Sequence, residues 1–263
     1  MSLIISIYVN EGIVMASDSR VSFSSSLPVV PMNIQTGHHF DSEEKTFLCP
    51  NGTGISACGD ASINKKSIAG IIKSFIKQTI QINTSVTDTA LSLLSFFKKL
   101  SPDLDATFHV CGFERGNSDS FISKAYRVTT RGKGRVIPIQ SDSSSHGAFW
   151  DGETITLSKL IKSQYVTKSI NPSNIVQVFE NGQQIEKHNV IVLDQNNIQF
   201  LPEISIPWDY MSLQDAIDFA RFAITTTVEA MKFANVNKTV GGPIDILVIT
   251  PDKASWITHK KLH

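Results

Sequence analysis

Met1-Ser2-Leu3-Ile4-Ile5-Ser6-Ile7-Tyr8-Val9 runs into Asn10-Glu11-Gly12 and then into Ile13-Val14-Met15-Ala16-Ser17-Asp18-Ser19-Arg20. Two apolar runs, Leu3–Val9 and Ile13–Asp18, flank a short glycine-containing turn, which predicts a β-hairpin. Ser2 stands directly behind Met1. Loss of Met1 places a hydroxyl and a free amine on one residue at the head of a buried strand, the minimal kit for a nucleophile that carries its own base. Asp18 closes the second run. A carboxylate buried there needs a cationic or hydrogen-bonding partner, and Arg20 and Lys45 are the candidates; a solvated strand end is the alternative.

Around this segment the composition sets limits. The 263 residues suit one large domain or two small ones and can bury a sizeable core. Lysine plus arginine number 24, as do aspartate plus glutamate, so nothing points to nucleic acid or an anionic membrane. No apolar run is long enough to span a bilayer, and the first one lacks a preceding basic region and ends in Asn10-Glu11, so it reads as a strand and not as a signal peptide. Cys49, Cys58 and Cys111 sit in or beside strand-like runs and read as reduced, buried cysteines of a cytoplasmic protein.

Residues 24–44, rich in Ser, Pro and His, read as a long loop. A second hairpin is expected from Lys45–Cys49 and Gly54–Cys58. The period then changes to about 3.6: Ile68, Ile71, Ile72, Phe75 and Ile76 share one helical face, and Val86, Ala90, Leu93, Leu94 and Phe97 share another. Ser85 with Asp88, and Ser212 with Asp215, have capping-box spacing. Strands are expected at Ala106–Phe113, Phe121–Val128 and Arg135–Gln140, with a short helix from Thr154 to Ile161. Residues 164–210 are ambiguous, with short strand candidates at Ile175–Glu180 and Val190–Leu193. The longest helix, Ser212–Phe233, carries the stripe Leu213, Ala216, Ile217, Ala220, Ile224, Val228 and Met231, and strands near Ile244–Thr250 and Ala254–Thr258 close the chain. Hairpin-linked strands with helices in separate groups predict an α+β fold of antiparallel sheets with helical layers outside.

The run Gly12 to Arg20 resembles the glycine–apolar–aspartate–x–arginine signature of proteasome-type subunits, which are N-terminal-nucleophile (Ntn) hydrolases. Counting back along that signature places Ser2 where catalytic members have their mature N-terminal threonine. The resemblance continues in order through Glu44-Lys45-Thr46, like the segment with the family's catalytic lysine. It then passes through Ala57-Cys58-Gly59-Asp60-Ala61, like the strand–helix turn whose glycine N–H lines the oxyanion hole. The helix from Leu213 and Gly241-Gly242-Pro243-Ile244-Asp245 resemble the family's last long helix, Gly-Gly turn and final strand. The resemblance implies a single domain over residues 1–263 with a four-layer αββα sandwich, two antiparallel sheets between helical layers. It implies Ser2, Asp18, Lys45 and Gly59 as catalytic residues, with Arg20, Asn237, Thr239 and Gly241 in support. It also implies peptide or amide substrates, no cofactor, no metal and assembly into homo-oligomers, rings among them. Activation would need only removal of Met1.

The sequence departs from the family's pattern in three places. Serine replaces threonine at position 2; Val240 and Asn237 stand where a serine and an aspartate are common, with Thr239 adjacent; and His146-Gly147-Ala148-Phe149-Trp150-Asp151-Gly152 occupies the place of a serine-containing glycine turn. A catalytically silent assembly subunit, or a small-molecule amidase on the same framework, are therefore the alternative functions. Elsewhere, His38-His39 reads as solvated loop rather than metal ligand, and Arg131-Gly132-Lys133-Gly134-Arg135 as a basic turn. Trp150, Trp208 and Trp256 read as packing residues, and Cys58 and Cys111 have no histidine pattern to make a thiol nucleophile.

Overall fold

The computed structural model describes residues 2–27, 34–116, 120–140, 145–161, 164–167, 179–180, 183–184, 198–201 and 204–260. The chain divides into two compact units, one made of Met1–Thr156 with Pro207–His263 and the other of Leu157–Ile206.

The first unit opens with β1 (Leu3–Val9) and β2 (Gly12–Ser17), the expected hairpin. Next come β3 (Val21–Leu27) and β4 (Ile34–Phe40), paired in register from Val21 with Phe40 to Leu27 with Ile34. This corrects the expectation of a loop at residues 24–27 and 34–40; residues 28–33 lie outside the described residues, and 41–44 carry no strand. Serine and histidine are weak strand formers, but a two-stranded ribbon satisfies its backbone groups whatever side chains it carries. β5 (Thr46–Leu48) and β6 (Gly54–Gly59) form the second hairpin, followed by the two-residue strands β7 (Ser62–Ile63) and β8 (Lys66–Ser67). Helices α1 (Ile68–Thr79) and α2 (Val86–Leu100) then lead to β9 (Ala106–Arg115), β10 (Phe121–Thr129), β11 (Arg135–Pro138) and β12 (Gly147–Gly152). α3 (Ile155–Ile161) runs into the second unit, where β13 (Gln164–Thr167) pairs with β16 (Ile198–Leu201) and β14 (Phe179–Glu180) with β15 (Gln183–Gln184). Of the two strand candidates there, Val190–Leu193 and residues 175–178 lie outside the described residues. The first unit resumes with α4 (Leu213–Phe233), β17 (Asp245–Ile249) and β18 (Ala254–Thr258).

Two five-stranded sheets organise the first unit. One has the order β12-β1-β2-β17-β18 and the other β11-β10-β9-β6-β5, with every pairing antiparallel. α4 packs on β1, β2 and β17, whereas α2 packs on β9, β10 and β11. The two sheets also meet each other, and Ile13, Met15, Phe149 and Leu247 from one share a buried cluster with Cys111 and Ala125 from the other. This explains why β1 and β2 read as continuous apolar runs. Both their faces are covered, and every residue of both strands is buried. Their two serines are hydrogen-bonded: Ser6 with His109, and Ser17 with Thr46.

Helix starts follow the serine signals. Ser212 and Asp215 form a reciprocal capping box on α4. At α2, Ser85 Oγ accepts from Asp88 N, but the Asp88 carboxylate takes the Ser85 hydroxyl, so only half of the expected box is present. On α4, Thr227 is buried in place of the expected Val228, its hydroxyl donating to Ala223 O at 2.9 Å. β12 has no periodic signal in the sequence, where glycine and aspartate dominate its ends. The basic turn between β10 and β11 is as expected, with Gly132 and Gly134 at positive φ.

Candidate active site

The end of β2 places Asp18 fully out of solvent. Its Oδ1 accepts from Leu3 N at 3.0 Å and from Lys45 Nζ at 2.7 Å, and its Oδ2 accepts from Arg20 N at 3.1 Å and Gly241 N at 3.0 Å. Four donors from four separate segments converge on one carboxylate. Lys45 enters from the residue before β5 and donates a second hydrogen bond to Arg20 O at 2.6 Å. It is only 4% exposed, and burial pulls its ammonium below the usual lysine range, with Asp18 opposing that fall.

Arg20 is not the cationic partner of Asp18. Its guanidinium forms a bidentate pair with Asp41, Nε to Oδ1 at 2.6 Å and Nη2 to Oδ2 at 2.7 Å. That hydrogen bonding lowers the Asp41 carboxyl and raises the Arg20 guanidinium from their ordinary values. Asp41, which the sequence did not single out, therefore belongs to the support. Gly241 is held tightly, because a Cβ there would lie 2.5 Å from the Arg20 guanidinium carbon. Its carbonyl accepts from Ser19 N at 2.9 Å.

Ser2 is buried, 8% exposed, at the head of β1. Its carbonyl accepts from Glu153 N at 2.7 Å, just after β12. Ser2, Lys45 and Gly59 line one solvent-open cleft of about 450 Å³, with Ile68, Ala69 and Ile72 of α1 forming an apolar wall. Gly59 ends β6 at φ +111, and a Cβ there would overlap Asp105 O and come within 2.8 Å of Ala106 Cα. Only glycine fits that turn. Of the remaining expected residues, Thr239 is buried with its Oγ1 unpartnered, and Asn237 is exposed. Cys58 also lines the cleft, but burial pushes its thiol up to about 12, as it does that of Cys111. Both stay protonated near neutral pH. Among the described residues no group of three or more His, Cys, Asp or Glu could hold a metal ion. No described helix is long and apolar enough to cross a membrane.

A second polar network was not foreseen. His109 on β9 accepts at Nδ1 from the Ser6 hydroxyl at 2.9 Å and donates from Nε2 to Asp151 at 2.9 Å; Arg127 on β10 donates to the same carboxylate at 2.7 Å. The order serine–histidine–aspartate has the residue types of a hydrolytic triad, yet Ser6 and His109 are both 0% exposed, so no substrate reaches them. The network instead ties β1 and β12 of one sheet to β9 and β10 of the other. Burial lowers the His109 pKa, against the pull of Asp151. The unfolded chain therefore takes up a proton below about 6.5 that folded His109 refuses. Stability from this group is complete above that value and is lost as pH falls below it, by at most about 1.4 kcal/mol per pH unit. Melting temperature should fall from pH 6.5 downward, and His109→Gln should flatten that part of the curve.

The sequence matches no protein-family model and no curated protein. Solved structures do match. "Anbu (ancestral beta-subunit) from Yersinia bercovieri" is 15% identical, with a TM-score of 0.54 over 98% of this chain and 88% of that one. An Anbu (Gly-1) mutant from Hyphomicrobium sp. strain MC1 is 14% identical, with a TM-score of 0.55 over 99% of this chain and 86% of that one. At such identities the likeness is one of fold, and it is a proteasome-like fold of the kind that the N-terminal signature resembles.

Proposed function

We propose that this chain is a proteasome-like Ntn hydrolase of the four-layer αββα type that cleaves peptide or other amide bonds with Ser2. The observation that carries the reading is the buried Lys45–Asp18 pair, 2.7 Å apart, beside the cleft that also holds Ser2 and Gly59. The packing of α4, the two sheets and α2 supports the layer order.

Hydrolysis of the Met1–Ser2 bond frees the Ser2 amine; Met1 itself lies outside the described residues. With a reference pKa of about 8, that amine suits a base near neutral pH. It takes the proton from Oγ, directly or through water, as Oγ bonds to the substrate carbonyl carbon. The oxyanion meets the Gly59 N–H, and the Lys45–Asp18 pair sets positive charge beside the nucleophile. The ammonium then gives its proton to the leaving amine as the amide C–N bond breaks. Water, deprotonated by the same amine, attacks the resulting ester and returns Ser2.

Incubation with a peptide vinyl sulfone, followed by intact mass and peptide mapping, tests this. The expected result is loss of one methionine and one probe on Ser2, with labelling abolished in Ser2→Ala. Retained Met1, or undiminished labelling of Ser2→Ala, overturns it. Retained Met1 would favour a silent assembly subunit, a reading supported by the exposure of Asn237 and the unpartnered Thr239 hydroxyl. The proposal includes assembly with copies of the same chain, read by sedimentation. It also includes a reducing, cytoplasmic setting, which the three free, buried cysteines support.

A further inference from the structure

We propose that Lys260 is a positioning residue of the site: held by Asp245, it sets a second buried cation beside the Lys45–Asp18 pair, and its charge acts on Lys45. This rests on the role proposed for Lys45 and adds a residue that works through it.

Strand pairing carries the argument. Asp245, the first residue of β17, lies opposite Ser17, the last residue of β2. Opposed residues of an antiparallel pair share one face of the sheet. The Ser17 hydroxyl accepts from Thr46 Oγ1 at 2.8 Å, so that face looks toward β5, the strand that Lys45 precedes. β17 packs on β5. Asp245 is fully buried. Lys260, two residues past β18, ion-pairs with its Oδ2 through Nζ and donates its backbone N–H to Oδ1 at 2.8 Å. The Lys260 side chain is only 6% exposed. His259 reaches the same way: its Nε2 lies 3.6 Å from Glu44 Oε1, next to Lys45 in the chain, and its Nδ1 lies 3.7 Å from Asp245 Oδ1. Two buried lysine–aspartate pairs are thus neighbours. Lys45 borders the cleft, whereas Lys260 and Asp245 lie off it.

Charges act on one another more strongly when shielded from water. Lys45 faces Asp18, just past β2, and the protonated Cys58 thiol on β6, and it helps to lower the Asp41 carboxyl. Once Met1 is lost, the Ser2 amine joins the same cleft. Lys260 faces Asp245 on β17, with His259 beside them, while Lys73 on α1 is turned to Glu44. Burial is the main cause of the low Lys45 ammonium; Asp18 opposes the fall and Lys260 adds to it. Lys260 therefore sets the alkaline edge of the range in which Lys45 keeps positive charge beside Ser2. Removing its charge takes away a repelling cation and leaves the Asp245 carboxylate unmatched, and both changes raise the Lys45 pKa.

The test follows Lys45 directly. Lysine labelled with 13C at Cε reports its titration by NMR in the Ser2→Ala protein, with Lys45→Arg identifying the signal. Lys260→Met should raise the Lys45 pKa by at least about half a unit. Lys260→Arg keeps the charge and should leave it within about 0.2 unit. Because Lys260→Met strands a buried carboxylate, the double variant Lys260→Met/Asp245→Asn removes the pair together and should move Lys45 in the same direction. In the Ser2 protein the alkaline limb of vinyl sulfone labelling should rise by the same shift. An unmoved Lys45 titration in folded Lys260→Met, or in the double variant where the single one does not fold, overturns the proposal, as does an equal shift in Lys260→Arg. A moved Lys45 titration without labelling of Ser2 sinks the hydrolase reading alone. Labelling whose alkaline limb does not move sinks the role of Lys260 alone.

Discussion

Asp18→Asn should lower stability by about 3–5 kcal/mol, the cost of breaking a buried ion pair from one side, and slow Ser2 labelling at least about 100-fold. The substitution keeps the volume and inverts half of the hydrogen bonding. Asp18 accepts from Leu3 N and Lys45 Nζ at one oxygen and from Arg20 N and Gly241 N at the other. An asparagine offers one acceptor and turns an NH2 group toward N–H donors that cannot accept from it. If the amide oxygen faces Lys45, the backbone donors of Arg20 and Gly241 lose their partner. If it faces them, the Lys45 ammonium is left with Arg20 O alone. At roughly 2–4 °C per kcal/mol for a chain of this size, the melting temperature should fall by about 10 °C. An Asp103→Asn control, the same change at an exposed turn, should alter neither quantity. A melting temperature within about 2 °C of the parent protein would show that the four-donor cluster does not hold this region together.

The same cluster shows which parts of the site can be read from sequence. An aspartate closing an apolar strand announces that it needs a partner, because burying a carboxylate alone is prohibitive. Arg20 and Lys45 are both candidates for that partner, and it is the resemblance, with its order of Ser2, Asp18, Lys45 and Gly59, that points to Lys45. Arg20 shows where such reasoning fails. A basic residue two positions from an aspartate looks like its counter-ion, but residues 18–20 lie past the end of β2, where no strand alternation sets side-chain direction, and it is the backbone N–H of Arg20 that reaches Asp18. Its guanidinium finds Asp41 instead, across a segment without any periodic signal. Asn237, which the resemblance implies through its distance from the Gly-Gly turn, is exposed, while Thr239 two residues on is buried.

Fold legibility divides along similar lines. Strands covered on both faces, such as β1 and β2, and helices with one apolar stripe, such as α1 and α2, carry their burial in their composition. β12 does not. Its membership of the first sheet comes from pairing with β1, Leu3 opposite Gly152 through Tyr8 opposite Gly147, and long-range pairing leaves no local trace. The ribbon of β3 and β4 was hidden for the same reason. His109, Ser6 and Asp151 are far apart in sequence and join only because the two sheets stack, so the buried tie they form could not be assembled from spacing.

That hidden strand supplies the other large effect, Gly152→Ala. Gly152 has φ +94, and an added Cβ would overlap the carbonyl oxygen of Ser2. Backbone cannot swing aside as a flexible side chain can, so either the end of β12 or the head of β1 must move. Moving β12 breaks the bond from Glu153 N to Ser2 O and pulls against Asp151, which His109 and Arg127 anchor to the other sheet. Moving β1 carries Ser2 away from Lys45 and Gly59. The left-handed conformation costs about 1–2 kcal/mol for alanine and the overlap about 1–3 kcal/mol more. The melting temperature should therefore drop by roughly 5–15 °C. A displacement of about 1 Å at the nucleophile should slow vinyl sulfone labelling about 100-fold. Gly132→Ala separates the two effects: its φ of +61 imposes similar backbone strain, but nothing lies within 4 Å of the added carbon. It should lose about 1–2 kcal/mol and be labelled at the parent rate. If Gly152→Ala is also labelled at the parent rate, β12 does not position Ser2. If both variants lose labelling in proportion to stability, the effect is general weakening rather than misplacement of the nucleophile.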